Sequence, residues 1–248
     1  MSRYPSEYER TGEEAEVAFW RDEIFGEPPE YHEGALADFV ARPQNRFPHW
    51  ICEYLKMPVP IVLEVGCGPL PKLEWAARNG SMVVHAFDPL ETKYASIRDM
   101  FGIRSSVRSI TAKAEHADAV FPNSYFDAAY VRNCLDHGED PVAGMRALRG
   151  LLRRKSDLEV TKQEFGSASA AGLLFYEHVE MVGEMVGYAD LHQWDLYEKG
   201  GFLWARKGSK GEPLRMCEGF KIVDYWRLAR KDGNRPYQEL RAVLMREK

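Results

Sequence analysis

A chain of 248 residues with a formal net charge of −5 and 45% hydrophobic residues is long and apolar enough for one sizeable α/β core with additions. Its Lys and Arg are dispersed, which argues against a nucleic-acid duplex as partner and favours a small or neutral acceptor. No apolar run reaches the roughly 20 residues that span a bilayer, and the N-terminus lacks a signal-peptide apolar core, so no membrane association and a soluble, cytoplasmic protein are expected.

Residues 1–56 read as a mostly helical region that covers a substrate site. Ala15, Val17, Ala18, Phe19 and Trp20 form one helix-like stretch, Leu36, Phe39 and Val40 another, with Pro28-Pro29 between them. The many aromatics here line an acceptor pocket or glue a helical layer to a sheet.

Residues 57–248 read as one further domain, in which strands and helices alternate from 60 to 178, the pattern of a doubly wound, mainly parallel sheet. Strands are expected at 60–65, 82–87, 106–112, 126–132 and 171–178. Between them fall helices at 72–79, at 91–101 with Tyr94, Ile97, Met100 and Phe101 on one face, and at 141–153, opened by Pro141. A polar segment from Arg153 to Ser169 reads as a surface loop. An inserted strand-rich segment follows around 190–217, including Gly201–Arg206. A further strand begins at Phe220, and Asp232-Gly233 turns the chain toward another at Glu239–Met245. Cys52, Cys67, Cys134 and Cys217 show no CxxC spacing and read as reduced thiols.

The most informative stretch is Ile61-Val62-Leu63-Glu64-Val65-Gly66-Cys67-Gly68-Pro69, a buried-strand run that breaks into a glycine turn, followed by Val84-His85-Ala86-Phe87-Asp88. In a parallel βαβ unit such a turn lets backbone N–H groups approach a ligand. A carboxylate closing the next strand offers two acceptor oxygens to the two hydroxyls of a ribose. Together they indicate an adenosine-containing cofactor.

In motif order the chain resembles the class I S-adenosylmethionine-dependent methyltransferases, especially their small-molecule branch. The resemblance covers about residues 58–178 and rests on Val62–Gly68, Asp88, Ala114-Glu115, Phe121–Asp127, Val131–His137 with Asp140-Pro141, and Ala171–His178. It implies a Rossmann-like, seven-stranded sheet with an antiparallel C-terminal hairpin and an N-terminal helical addition. The implied cofactor is S-adenosyl-L-methionine, with S-adenosyl-L-homocysteine as product. Glu64, Gly66, Cys67, Gly68, Asp88, Ala114, Glu115 and Asn133 are implied to bind it. The implied acceptor is a small molecule, such as a sugar or natural product bearing a hydroxyl, and a homodimer is compatible with the family. The chain departs from the pattern at Leu70, where a third glycine is common, and at Lys113, where an acid often meets the adenine.

Methyl transfer requires a nucleophile held in line behind the methyl carbon, and a base only where the acceptor must lose a proton. His137, in the loop after the fourth strand, is the leading candidate for that base, against a purely structural histidine. His178 and His192 are further catalytic candidates, and Asp136 or Glu177 could orient a histidine. The histidine spacing matches no tight metal motif, so no metal is expected. Two other functions compete. An NAD-dependent oxidoreductase uses the same strand-turn-acid geometry, but the complete GxGxxG pattern is missing. A non-catalytic cofactor-binding scaffold would use the aromatic N-terminal region as an interface.

Overall fold

The computed structural model describes residues 12–18, 20–21, 42–154, 172–181, 194–200, 202–207, 211–232 and 235–247. The first five apolar runs become strands β1 (Ile61–Val65), β2 (Val83–Asp88), β3 (Ser109–Thr111), β4 (Ala128–Arg132) and β5 (Leu173–Met181). The later part of the chain adds β6 (Trp194–Lys199), β7 (Phe202–Lys207), β8 (Leu214–Arg215), β9 (Phe220–Asp232) and β10 (Arg235–Arg246). Helices α1 (Gly12–Ala18), α2 (Glu74–Arg78), α3 (Glu91–Met100) and α4 (Pro141–Leu151) accompany them.

Seven strands form one sheet in the order β3-β2-β1-β4-β5-β10-β9. The first five are parallel, and β10 and β9 close the sheet as an antiparallel hairpin beside β5. From β1 the chain winds outward to β2 and β3, then returns to β4 on the other side of β1. That reversal makes the ends of β1 and β4 the switch point, where open α/β sheets take their ligands.

Both faces of the sheet are covered, which is why the central strands read as continuous apolar runs. Leu63, Val65, Ala129, Val131, Leu174 and Tyr176 pack under Met145, Leu148 and Leu151 of α4. The alternate residues Val62, Ala128, Tyr130, Leu173 and Phe175 pack with Trp50, Ile51, Leu55 and α2's Ala76. The carboxylate of Asp140 caps α4 by accepting the N–H groups of Val142 and Ala143, each at 2.9 Å, and Pro141 occupies the first turn.

Where the structure differs from the sequence reading, packing is the reason. Within 1–56 the described residues form α1, a π-helical turn at Trp20-Arg21 and two 3₁₀ turns, Pro43–Asn45 and His49–Glu53, and Phe47, Trp50 and Ile51 plug a compact surface of the sheet. The stretch at Leu36–Val40 lies outside the described residues, as do most of the expected surface loop Arg153–Ser169 and Gly233 of the expected turn. On α3, Tyr94 and Ile97 are buried against Leu70 and Leu90. Met100 and Phe101 instead extend beyond that contact, with Met100 68% exposed.

The expected insertion is a separate three-stranded sheet, β6-β7-β8. Its Leu196, Leu203 and Ala205 join the main core, and β6 runs beside the 3₁₀ turn Leu135–His137. All four cysteines are free thiols. Among the described residues no helix is long and apolar enough to cross a membrane.

Candidate functional site

At the end of β1 the chain turns through two glycines in the left-handed region, Gly66 at φ +61° and Gly68 at φ +60°. At Gly66 the close approach of β4's following loop also matters: a Cβ there would lie 2.2 Å from the Cβ of Cys134. Two carboxylates hold this turn. Buried Glu64 accepts the N–H groups of Lys72 (2.7 Å) and Leu73 (3.0 Å), fixing the far end of the loop. Asp88, at the end of β2, accepts the N–H groups of Gly68 (2.9 Å) and Leu90 (2.8 Å). Each Asp88 oxygen thus keeps acceptor capacity for a further donor.

Burial pushes Glu64 up to about 7, against the pull of its two backbone N–H donors. Burial likewise pushes Asp88 up to about 6, despite the N–H groups of Leu90 and Gly68, with the charges of Glu16 and Glu91 adding to the rise.

Beside this turn opens a cleft of about 200 Å³. Its apolar walls include Phe87, Leu90, Ala114 and Leu135, while Gly66, Glu115 and His137 also line it. One side is closed by α1, whose Glu16 faces the cleft. Glu16 accepts a hydrogen bond from the Tyr94 hydroxyl at 3.2 Å and lies 3.3 Å from Nδ1 of His137. The other ring nitrogen of His137 is 3.6 Å from Asp136, which is fully buried. Burial opposes charge on both partners, yet the hydrogen bond and charge of His137 keep Glu16 below its ordinary range. The same bond, with Asp136, keeps His137 above its own.

An apolar slot, a glycine turn and, at the adjoining strand end, a carboxylate with spare lone pairs suit an adenosyl cofactor. Of the residues expected to bind it, Gly66, Ala114 and Glu115 line the cleft. Asp88 is buried at the adjoining end of β2. Gly68 takes part through its N–H to Asp88, whereas Glu64 holds the loop from behind. Cys67 is buried, its N–H spent on the carbonyl of Phe87. Asn133 adopts φ +44° just before Cys134, which lines the cleft, and its N–H donates to the Glu177 carbonyl.

Of the candidate catalytic histidines, His137 lines the cleft. His178 is buried on β5, stacked on Tyr176 at 6.4 Å, and is absent from the cleft wall. His192 lies outside the described residues. Among the described residues no cluster of His, Cys, Asp and Glu is arranged to hold a metal ion.

Glu177 sits in a second polar cluster on the other face of the sheet. It accepts from Arg132 Nε at 2.8 Å, from the Tyr130 hydroxyl at 3.1 Å and from Trp50 Nε1 at 3.4 Å. Its partners are therefore an arginine and two aromatics rather than a histidine.

Glu16 was not singled out by the sequence, because an acid in a short polar helix ordinarily faces solvent. Only the docking of α1 through Val17 and Trp20 onto Leu70, Leu90, Tyr94 and Ile97 brings it inside.

Residues 63–158 match the family model described as a methyltransferase domain. No curated protein matches the chain. Among solved structures, the chain is similar to the cyclase SpnF, at 13% identity and TM-score 0.51, over 96% of this chain and 97% of that one. It is also similar to a Burkholderia thailandensis 1,6-didemethyltoxoflavin-N1-methyltransferase solved with 1,6-didemethyltoxoflavin and S-adenosylhomocysteine, at 16% identity and TM-score 0.43, over 90% and 92% of the two chains. A third is an S-adenosylmethionine dependent methyltransferase from Mesorhizobium loti, at 15% identity and TM-score 0.49, over 80% and 96%. The SpnF likeness, spanning nearly the whole of both chains, is one of fold.

Proposed function

We propose that this chain is a class I S-adenosylmethionine-dependent methyltransferase that methylates a small-molecule acceptor, with a hydroxyl of a sugar or natural product as the leading chemistry. The observation that carries this reading is the cleft at the β1–β4 switch point, closed on one side by α1 and lined by Gly66 and His137, with Asp88 buried at the adjoining end of β2. Such a covered site suits a compact acceptor better than a polymer. We assign residues 1–56 the covering role and the four reduced thiols to a cytoplasmic setting.

When bound, S-adenosylmethionine supplies a methyl group activated on a sulfonium. The chain's residues then have three tasks. Asp88 and the glycine turn orient the adenosyl and methionine arms, the apolar walls of Phe87, Leu90 and Leu135 exclude water, and His137 stands where an acceptor proton could be taken. Because Glu16 and Asp136 favour its charged form, His137 can take a proton only after losing its own, so a base role becomes effective above its raised pKa.

Two tests follow. Asp88→Asn should weaken S-adenosylhomocysteine binding by about 1–3 kcal/mol through loss of charge-assisted hydrogen bonds. Since Asp88 titrates at about 6, wild-type affinity should rise with pH through that value and the variant's should not. In the unliganded protein the sign is opposite. Asp88 and Glu64 retain protons that the unfolded chain releases, so the stability they contribute is full below about pH 4 and is lost as pH rises through about 6 and about 7. Calorimetric affinities that ignore both pH and the substitution would refute the assignment.

The second test concerns the acceptor. With a hydroxyl acceptor found by screening a metabolite extract, His137→Ala should lower kcat on the order of 10²-fold while cofactor affinity changes little. A near wild-type kcat with an unchanged pH profile would exclude the base role.

A further inference from the structure

The carboxylate that α1 brings into the cleft enters the reading above only through its effect on His137, and its surroundings define a further role. Glu16 lines the cleft, takes the Tyr94 hydroxyl at 3.2 Å and meets His137 at 3.3 Å. Trp20, one turn further along, reaches within 3.6 Å of where a Cβ on Gly68 would lie. Glu16 is thus held against the same turn and wall that border Asp88. With the imidazole charged, Glu16, His137 and Asp136 together carry one net negative charge, and ionised Asp88 adds a second. Among the described residues the basic side chains near the cleft are paired with acids: Arg98 with Glu91 at 2.5 Å, Lys93 with Glu13 at 3.0 Å and, on the cleft wall itself, Lys113 with Glu139. A cleft with low-dielectric walls and a net negative charge among its described side chains attracts a cation more strongly than its neutral counterpart.

We propose that Glu16 is a specificity-determining residue that makes the cleft prefer the sulfonium form of the cofactor to its neutral product. The proposal rests on the cofactor reading above. The cofactor carries a sulfonium before transfer and a neutral thioether after it: the S–CH₃ electron pair stays on sulfur, the methyl carbon bonds the acceptor oxygen, and the hydroxyl proton leaves to solvent. One positive charge therefore leaves the cleft with each turnover, and the product loses the attraction that held the substrate. Glu16 contributes this without touching the acceptor, from a helix joined to the domain by side-chain packing.

The test is calorimetry of the full chain with S-adenosylmethionine and S-adenosylhomocysteine, comparing wild type with Glu16→Gln and Tyr94→Phe. Gln keeps an acceptor for the Tyr94 hydroxyl and removes the carboxylate charge, and the comparison is made at a pH where NMR shows His137 in the same protonation state in both proteins. Wild type should bind the sulfonium form more tightly. Glu16→Gln should lose about tenfold or more in affinity for it, with less than a threefold change for the thioether. Tyr94→Phe leaves the charge in place and should leave the ratio of the two affinities unchanged. Equal losses of both ligands in Glu16→Gln would reduce Glu16 to a clamp for α1 and overturn the proposal, as would no loss at all. Wild type binding neither ligand would overturn the cofactor reading itself, an outcome distinct from a ratio that fails to move.

Discussion

Gly66→Ala is expected to lower stability by about 3 kcal/mol or more and to abolish cofactor binding in whatever fraction stays folded. Two costs combine. A Cβ at Gly66 would lie 2.2 Å from the Cβ and 2.7 Å from the Sγ of Cys134, an overlap that forces β1 and β4 apart. Overpacking of this kind costs about 1–3 kcal/mol, and holding a non-glycine residue at positive φ adds about 1 kcal/mol or more. For a chain of this size the melting temperature should fall by roughly 6–12 °C. Gly80→Ala is the control, since Gly80 also has positive φ, +71°, but nothing within 4 Å of its Cβ position. It should lose only the conformational part. Equal melting temperatures for the two variants would show that the loop relaxes around the new methyl and that β4's approach is not what demands glycine.

The second large effect lies on the other face of the sheet. Removing the Glu177 carboxylate by Glu177→Ala takes the partner from Arg132 and strips acceptors from Tyr130 and Trp50, in a site where Glu177 is only 5% exposed. Arg241, 3.9 Å away, also loses a counter-charge, though it keeps Glu239. Because the Arg132 side chain is 31% exposed and can keep some hydration, the loss should fall below that of a fully buried pair, at about 1–3 kcal/mol, most of it from the acceptors taken from Tyr130 and Trp50. Urea unfolding should show a lower midpoint at unchanged slope. The exposed pair Lys113–Glu139 offers the contrast, and Glu139→Ala should leave the midpoint where it is. A Glu177 variant as stable as wild type would mean that Arg132 swings out to water.

Much of this architecture was legible because its signals are local. Apolar runs announced β1, β2, β4 and β5 to within about three residues at each end, and Asp140-Pro141 announced the start of α4. The glycine turn and Asp88 were legible for the same reason, as each marks the end of a strand. Glu16 was not, since its role depends on where α1 docks, and that is decided by Trp20 meeting Tyr94 some 74 positions away, a ring contact of 6.5 Å. Glu64 illustrates a subtler limit. Its position at the end of β1 was readable, but its hydrogen bonds to Lys72 and Leu73 show it shaping the loop from behind. A strand-end acid has two sides, and sequence does not say which one it uses.

The order of strands in the sheet has a consequence for the chain during synthesis. β5 ends at Met181, yet its outer neighbour β10 starts only at Arg235. At about 5–20 residues per second, a ribosome leaves β5 without that partner for on the order of 3–10 s. Through that interval the nascent parallel half presents a raw, apolar margin, Leu173 to Tyr176, to anything that can pair with it. Chaperone dependence in vivo, and a burst of aggregation when translation stalls between residues 181 and 235, are what this topology predicts.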